Sequence, residues 1–411
     1  MLALAARAVA ARLNADHADA VGPTRPCPQC QQPARYAGRR PATVTTVLGP
    51  LTLTRAYYHC AACGTGACPR DRALGLADTS LSPGVTRMVG AVGARVSFAE
   101  GAALLRDLAG LAVPASHVER TAEALGRAVA ADEHAVVEAQ PPAAPTMYLG
   151  MDGTGIPMRL AALAGRRGKQ PDGTAKTREV KLCTVWTAEA RDAEGRPMRD
   201  PGSVSYSAAI ESAAATAGPA ARSSPFALRV DREAQRRGFD HAPRRVVLGD
   251  GAVWIWNVAE EACPGAIHIV DLFHAKEHLA TRATAIFGAP GDLATAWTHA
   301  RYAELDAGHL RRLVRALRTQ LPTTPTVAQD IHYFFRNRRR MRYPAFRAQG
   351  LCVSTGVLEA GCRTAIGTRL KRSGMHWTLA GADAIIALRC AILSGRFEDF
   401  WERRAAPQRA A

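Results

Sequence analysis

The sequence lacks any long hydrophobic run, and this absence excludes several classes of protein. No stretch of the 411 residues approaches about 18 uninterrupted apolar residues, the length that a membrane-spanning helix requires. Residues 2–13 are largely apolar, but Arg7 and Arg12 interrupt them and no basic segment precedes them, which is not the pattern of a secretory signal peptide. No internal repeat is apparent. We therefore expect a cytoplasmic protein with no membrane partner.

Acidic side chains are scarce relative to basic ones. The chain has 36 Asp and Glu against 53 Lys and Arg, which gives a formal net charge of +17. Such an excess indicates a polyanionic partner such as nucleic acid, although a generally arginine-rich composition would also produce it. With DNA as the partner, the protein would be associated with the nucleoid.

Cysteines are concentrated in one short segment. Five of the ten lie within residues 27–68, and the scattered remainder does not indicate a disulfide framework. Two C-x2-C pairs flank an alternating segment that predicts a β-hairpin with its turn at Gly49-Pro50, and Leu51, Leu53 and Tyr57 are expected on one face. Paired cysteines at the same end of a hairpin are typical of a closed, structural zinc site. The predicted Zn²⁺ ligands are Cys27, Cys30, Cys60 and Cys63, with His59 and Cys68 as bystanders.

Composition divides the chain into segments. Ser97 to Gly110 predicts one amphipathic helix, and Ser116-His-Val-Glu119 has the capping-box pattern of a second. This pair is either a helix-turn-helix reader or an ordinary αα-hairpin. The predicted organisation is an N-terminal helix (1–25), a zinc-ribbon-like module (26–78), a helical region (79–138), a proline-rich linker (139–146), an α/β domain (147–402) with an all-α insertion at about 279–350, and a disordered tail (403–411).

Three aspartates follow short apolar runs that predict strands. Asp152 follows residues 147–151, Asp250 follows residues 246–248 and Gly249, and Asp271 follows residues 267–270. A later helix, with Ser354 or Thr355 as its expected cap, carries Glu359. Open α/β sheets bind ligands at the carboxyl ends of their strands. Two strand-end aspartates and a helical glutamate are suited to hold two hard cations for phosphoryl transfer.

Basic side chains occur in two groups near these acidic residues. One group lies in a glycine-rich loop after the first strand, and the other follows Glu359. Side chains so placed would hold phosphates beside an acidic site. The candidate DNA-binding residues are Arg166, Arg167, Lys169, Arg363, Arg369, Lys371 and Arg372.

One motif suggests a different chemistry. His274-Ala-Lys-Glu-His278 has the H-x-x-E-H spacing of a zinc metallopeptidase. Five residues match such a pattern by chance often, and a peptidase has no use for a charge of +17. His274 is therefore interpreted as a residue that orders or contacts DNA near the acidic site.

Taken together, these motifs resemble the ISKra-type insertion-sequence transposases, distant relatives of the Mutator-like transposases. The resemblance covers nearly the whole chain. It rests on the paired cysteines and on Met151-Asp-Gly-Thr154, Gly249-Asp-Gly-Ala252, Asp271-Leu-Phe-His274, Glu277-His278, Glu359-Ala-Gly-Cys362 and Arg369-Leu-Lys-Arg-Ser-Gly-Met-His-Trp377.

The resemblance implies a multidomain α+β protein with an RNase H-like catalytic domain. It implies a DDE triad of Asp152, Asp250 and Glu359 that binds two Mg²⁺ or Mn²⁺ ions, with Asp271, His274 and His278 as auxiliary residues. The implied activity is cleavage and transfer of strands at the ends of a mobile element, by a homo-oligomer on double-stranded DNA. A catalytically silent DNA-binding relative and a nuclease without strand transfer are the alternatives.

Asp250 and Asp271 both qualify as the second catalytic aspartate on pattern. We favour Asp250, because an RNase H-like site has its second carboxylate on the strand beside the first and because glycines flank Asp250. Asp271 precedes the bulky Leu272 and Phe273 and is predicted to cap a helix.

Overall fold

The computed structural model describes residues 2–76, 79–135, 141–168, 170, 173–215, 223–288, 291–321, 324, 326–354 and 356–409. The chain forms two compact units, Met1–Asp132 with Arg396–Ala411 and Glu133–Gly395. No described helix has both the length and the apolar character needed to span a membrane.

Residues up to 135 form a small sheet and five helices. The elements are α1 (Leu2–Ala15), β1 (Thr24–Pro26), β2 (Pro33–Thr46), β3 (Gly49–His59), β4 (Gly66–Ala67), α2 (Pro69–Ala73), α3 (Pro83–Arg95), α4 (Phe98–Ala109) and α5 (Ala115–Ala135). The sheet has the order β1-β2-β3-β4, and all its neighbours are antiparallel. The N-terminal helix and the hairpin that separates the cysteine pairs are both present.

The hairpin turn lies two residues before the predicted position. Thr46 pairs with Gly49, so Val47 and Leu48 form the turn and Pro50 belongs to β3. The backbone of Gly49 has a φ of +107°, a conformation that glycine adopts readily. Gly49 is therefore the first residue of β3 and is not part of the turn.

The buried face of β3 changes partway along the strand. Leu51 and Leu53 are buried and pack with α1, whereas Ala56 and Tyr58 are buried beside the cysteine pairs. The alternation of β3 keeps Tyr57 on the face of Leu51, where Tyr57 is only partly buried. A β-bulge lies at the same place, where β2 has two residues between Tyr36 and Arg39 opposite the single Tyr57 of β3.

The helical region has one confirmed cap and one corrected one. α4 has a capping box in which Ser97 accepts from the Glu100 amide and Glu100 accepts from the Ser97 amide, and Gly110 ends the helix in the left-handed conformation. α5 begins at Ala115, so Ser116 lies inside its first turn and does not precede it. The helix-turn-helix interpretation stays a prediction.

From residue 146 the chain forms a second sheet and its helices. These elements are β5 (Thr146–Pro157), β6 (Thr177–Thr187), β7 (Ala190–Arg191), β8 (Pro197–Met198), β9 (Ser205–Ala209), α6 (Pro225–Arg236), β10 (Arg244–Gly249), α7 (Val253–Ala262), β11 (Ile267–Val270), α8 (Leu272–Phe287), α9 (Asp292–Asp306), α10 (Leu310–Arg318), α11 (Val327–Asn337), α12 (Tyr343–Ala348), α13 (Val357–Gly361), α14 (Thr368–Leu370), α15 (Leu379–Leu393) and α16 (Phe397–Arg409). A π-helical segment, Cys362–Gly367, joins α13 to α14.

The five-stranded sheet has the order β11-β10-β5-β6-β9. β10 is parallel to β5 and β11, whereas β6 is antiparallel to β5 and β9. The predicted strand-helix-strand unit at residues 244–270 is therefore confirmed as a parallel pair joined by α7. Gly150 in central β5 allows α13 to approach closely, because a Cβ atom there would lie 2.1 Å from Leu358 Cδ2.

Residues 279–350 are almost entirely helical, as predicted. Two other expectations are corrected. α13 begins after Gly356, so Ser354 does not cap it, and Thr355 lies outside the described residues. α16 continues through Arg409 where a disordered tail was expected, and from Arg396 the chain groups with the first unit. Residues 139–140 of the predicted linker also lie outside the described residues.

Candidate active site and metal centre

The four predicted cysteine ligands converge in the first unit. Their sulfur atoms all lie within 4.8 Å of one another, with 3.6 Å between the Sγ atoms of Cys27 and Cys63 and 3.5 Å between those of Cys30 and Cys60. Tetrahedral Zn–S bonds of about 2.3 Å require S–S separations of about 3.8 Å, so the cluster has nearly the size that zinc needs. These cysteines could bind a structural metal such as zinc.

The two C-x2-C turns have the same backbone geometry. The amide of Gln31 donates to the Cys27 carbonyl at 3.0 Å, and the amide of Gly64 donates to the Cys60 carbonyl at 2.9 Å. Gln31 and Gly64 both adopt left-handed backbone angles, with φ of 60° and 72°. Gln31 is the single described non-glycine residue with a positive φ, a conformation that is costly unless its surroundings require it. Two matched turns that face each other are a metal-binding arrangement.

The register of the second sheet brings two of the predicted catalytic residues side by side. Gly249 of β10 pairs with Met151 of β5, so the next residues, Asp250 and Asp152, are neighbours. Asp250 directly follows β10, as predicted, but Asp152 lies within β5, which continues to Pro157 because it stays paired with β6. Residues paired across adjacent strands have side chains on the same face of the sheet. Both carboxylates therefore point to the face that α13 covers through Leu358.

The surroundings of Asp152 disfavour the ionised form of its carboxylate. Burial raises the pKa of Asp152 above its ordinary value, and the charge of Asp250 raises it further. The Cys362 thiol and the Gly153 amide donate hydrogen bonds to this carboxylate, and they act in the opposite direction, as does the charge of His274. The negative charge of Asp152 thus has partners but is still costly, as expected for a carboxylate that a cation would stabilise.

The Asp250 loop is held by the helical insertion. The Asp250 carboxylate accepts from the Ala252 amide at 2.7 Å, and the Tyr333 hydroxyl donates to the Asp250 carbonyl at 2.8 Å. Gly251 has a φ of +95°, and a Cβ atom there would lie 2.6 Å from the Tyr333 ring. α11 therefore packs on the backbone that carries the second aspartate, and glycine is needed at position 251 both for its φ and for this contact.

Asp271 has a different local role. Its carboxylate accepts from the Phe273 amide at 2.8 Å and from the Ser354 hydroxyl at 3.3 Å, and the residue is buried. It is the N-cap of α8, as the sequence analysis predicted. Its carboxylate is thereby engaged in local structure.

Glu359 lies on α13 and is exposed. Cys362 follows it by about one helical turn, and the Cys362 thiol contacts Asp152. The π-helical segment begins at Cys362, and such segments occur often at functional sites. The structure thus places Glu359 on the helix that covers the two aspartates; among the described residues, the four cysteines are the only group of three or more His, Cys, Asp or Glu ligands within 4.8 Å of one another.

The two auxiliary histidines lie on α8. His274 Nδ1 is 3.2 Å from Glu277 Oε2, and its charge influences Asp152. His278 stacks on Tyr333, with 4.2 Å between ring centroids, and its Nδ1 atom is 3.6 Å from Asp330 Oδ1. His274 is therefore close enough for its charge to act on Asp152, while His278 supports the tyrosine that holds the Asp250 loop.

The predicted phosphate contacts differ in their exposure. Lys371 is exposed and donates to the Thr154 hydroxyl, two residues after Asp152. Arg363 is exposed and Arg372 is half-buried. Arg166 and Arg167 are both exposed, and Lys169 lies outside the described residues.

The prediction that Arg369 is available to DNA is wrong. The side chain is fully buried, its Nη1 atom lies 3.3 Å from Met375 Sδ, and its guanidinium lies 5.0 Å from the centre of the Trp377 ring. Spacing along a basic segment does not show which side chain turns inward. Arg369 therefore belongs to the packing of this segment.

Replacing Arg363, Lys371 and Arg372 together with Ala is expected to flatten the salt dependence of DNA binding. Each phosphate contact contributes about 0.9 to the slope of log K against log salt, so the slope should fall by roughly 2 to 3. Arg369→Ala is the control; it should lower the melting temperature and leave the slope unchanged. Titrations at several salt concentrations measure both, and an unchanged slope in the triple variant would exclude these residues from the interface.

Tyr333→Phe is expected to slow strand cleavage and to lower the stability of the protein only slightly. The ring still packs on Gly251, but the hydrogen bond to the Asp250 carbonyl is lost, at a cost of about 1 kcal/mol of stability. Tyr302→Phe, on α9, is the matched control and should leave the rate unchanged. Melting curves measure the stability of both variants, and strand-cleavage assays measure their rates. Equal rates for Tyr333→Phe and Tyr302→Phe would show that Tyr333 does not position Asp250.

Sequence reasoning missed two residues of this site. Tyr333 and Cys362 contact the candidate catalytic residues Asp250 and Asp152 from elements far along the chain. The single available signal for Cys362 was its position three residues after Glu359, which puts both on one helical face. No comparable signal marks Tyr333.

Comparison with models of known protein families found no match, and comparison with curated proteins found none either.

Proposed function

We propose that this chain is the DNA transposase of an insertion sequence, which cleaves strands at the element ends and joins them to target DNA. One observation carries the proposal: the parallel register of β5 and β10 brings Asp152 and Asp250 together under the helix that carries Glu359. Three carboxylates from two strands and a late helix are the residues that the resemblance to ISKra-type transposases implies.

The topology of the sheet supports an RNase H-like fold. Three consecutive antiparallel strands, β5, β6 and β9, occupy one side of the sheet, and β10 and β11 extend it in parallel on the other side of β5. The predicted helical insertion follows the second aspartate, and Glu359 follows the insertion. This order agrees with an RNase H-like domain of the DDE type.

The carboxylates of the acidic site fit Mg²⁺ or Mn²⁺. Burial of Asp152 and the nearby charge of Asp250 disfavour the ionised carboxylate, and divalent ions coordinated by Asp152, Asp250 and Glu359 would remove that cost. When bound, such ions supply Lewis acidity for in-line attack by water or a 3′-hydroxyl on phosphorus. Lys371 and Arg363 hold the phosphates on either side, and Cys362 and Tyr333 fix the two aspartates.

The first unit supplies a second means of DNA contact in this proposal. The cysteine cluster holds one structural Zn²⁺ and fixes the β2–β3 hairpin, and α3 to α5 form the helical reader. The net charge of +17 fits double-stranded DNA as the partner, and a homo-oligomer would bring two element ends together.

The metallopeptidase alternative has no geometric support. His274 is paired with Glu277, and His278 stacks on Tyr333, so the three residues of the H-x-x-E-H pattern are engaged separately. A nuclease that cuts without joining strands would use the same acidic site, and the strand-transfer assay described in the Discussion separates it from a transposase.

Divalent ions are expected to raise the thermal stability of the protein. An ion that binds the native state alone stabilises it by mass action.

The pKa of Asp152 is raised in the folded state, so the folded protein loses stability as the pH rises from the unfolded pKa of Asp152 through its folded pKa. Without metal at neutral pH, the variant Asp152→Asn, Asp250→Asn, Glu359→Gln should therefore melt above wild type. A melting temperature that does not change when Mn²⁺ is added would contradict a metal site shared by the three carboxylates.

The class of function is tested with the DNA that flanks the gene. Purified protein and Mn²⁺ are incubated with a plasmid that carries this DNA, and cleaved ends are mapped by primer extension. We expect cuts at the borders of inverted repeats on both sides of the gene. Random nicking, or no repeats, would contradict the assignment to an insertion sequence.

A further inference from the structure

A cavity of about 560 Å³ lies in the second unit beside the part of β6 that pairs with β5 just after Asp152. Its walls come from the start of β6, the residues after β9, the start of α7 and Arg166. Its volume is within the range of about 300–1,000 Å³ that small-ligand pockets occupy. The cavity is not part of the acidic site described above.

The cavity and the acidic site lie on opposite faces of the β5–β6 pair. Asp152 pairs with Leu182, and Gly153 pairs with Lys181, one residue further along. Because successive strand residues face opposite sides, Lys181 points away from the face of Asp152 and toward α7. β10 ends at Gly249, and Trp254 of the cavity lies at the start of α7, four residues after Asp250. A DNA strand bound at Asp250 can therefore pass over the end of β10 into the cavity.

The cavity has an excess of positive charge. Lys181 is nine-tenths buried, and its Nζ atom lies 2.6 Å from Glu179 Oε2. The other lining carboxylate, Glu211, is paired with Arg229 at 2.6 Å. The carboxylates that line the cavity are thus already neutralised by neighbouring cations.

The guanidinium groups of Arg166 and Arg178 also line the cavity. Burial lowers the pKa of Arg178, and the neighbouring charge of Arg166 lowers it further, while Asp383 acts in the opposite direction. The Asp383 carboxylate also accepts from the Ile210 amide at 2.9 Å. Two guanidinium groups that line one cavity form a site for a phosphate, which both can hydrogen-bond.

The cavity also presents an aromatic surface. Trp254 is partly exposed, and the buried Phe226 supports its indole edge-on, with 5.6 Å between ring centroids. Lys181 Nζ lies 5.3 Å from the Trp254 ring centre, and Asn257 supplies an amide nearby. An indole beside cations and an amide has the groups that stack on a base and hydrogen-bond its edge.

We propose that this cavity binds one unpaired nucleotide of a DNA strand, with its base on Trp254 and its phosphate between Arg166 and Arg178. The inference rests on the proposed function, because DNA held at Asp152 supplies the nucleotide. A free nucleotide has the same chemistry; the adjacent strand end favours a nucleotide within a strand.

The test is binding of a short fluorescent single-stranded oligonucleotide to the full chain, without added divalent metal. Trp254→Ala should weaken this binding about tenfold or more, whereas Trp254→Phe should retain most of it, because a stacking surface remains. Binding of blunt duplex DNA should be unchanged in both variants. Trp297→Ala is the matched control, since Trp297 is also partly exposed and has Arg301 at 5.5 Å from its ring centre.

A second measurement addresses the phosphate contact. Arg166→Ala with Arg178→Ala should reduce the salt slope for the single strand by about 1.4, at about 0.7 for each contact. If Trp254→Ala does not fold, Trp254→Leu replaces it, because leucine keeps apolar volume and removes the aromatic face.

Three results would overturn the proposal. They are equal single-strand affinity of wild type and a folded Trp254 variant without an aromatic ring, an equal loss for duplex DNA, and competition by thymidine monophosphate as strong as by the oligonucleotide. These measurements do not require catalysis, so absence of strand cleavage would refute the proposed function and leave this binding result standing.

Discussion

Asp250→Asn is expected to reduce strand cleavage by about three orders of magnitude or more while DNA binding stays near that of wild type. Charge stabilisation by bound metal is worth several kcal/mol in the transition state, and each 1.4 kcal/mol corresponds to about tenfold in rate. The loss should be specific to catalysis, because Asp250 is a candidate metal ligand and no phosphate contact is removed.

Asp271→Asn is the matched variant, one strand away in the same row. Asn caps helices about as well as Asp, so the hydrogen bond from the Phe273 amide can persist and the stability cost should be small. We expect this variant to retain Mn²⁺-dependent cleavage in proportion to its folded fraction. Nicking of a supercoiled plasmid measures both variants. An active Asp250→Asn with a folded but inactive Asp271→Asn would move the second metal ligand to β11.

Loss of one cysteine of the cluster is expected to have the largest effect on stability. Purified wild type should contain about one Zn²⁺ per chain. Structural zinc contributes about 10–16 kcal/mol in zinc-finger peptides, so Cys30→Ser should unfold the N-terminal module and weaken DNA binding. The second unit has its own core and should keep its melting transition.

Cys68→Ser is the control for this prediction. Cys68 lies near the cluster in sequence but is not one of the four converging ligands. The Cys68→Ser variant should retain zinc, and its N-terminal module should stay folded. Metal analysis after purification under reducing conditions measures the zinc content of each protein. The metal site would be refuted if the wild type contains no zinc. It would also be refuted if Cys30→Ser keeps its full zinc content and an intact N-terminal melting transition.

The elements that position the candidate site could be predicted from local patterns. Apolar runs that end at Asp152, Asp250 and Asp271 predicted the strands, because a buried parallel strand needs apolar residues on both faces. The row of three aspartates then follows from pairing of those strands. The capping role of Asp271 was also predictable, since an N-cap depends on residues adjacent in sequence.

The parts that could not be predicted depend on contacts between distant residues. The burial of Arg369 requires Trp377 to fold back over it, and a basic segment gives no sign of this. The contact of Tyr333 with Asp250 joins residues 83 positions apart. The position of the hairpin turn was missed for another reason: Gly49-Pro50 has turn composition, but pairing of Thr46 with Gly49 determines where the strand begins.

Strand transfer tests the central claim most directly. A DNA fragment that carries one element end with a labelled, free 3′-hydroxyl is incubated with the protein, Mn²⁺ and a supercoiled plasmid. A transposase should join the label covalently to the plasmid, and Asp250→Asn should abolish the joined product. A plasmid that is cut but never labelled by wild-type protein would contradict the account and identify the protein as a nuclease.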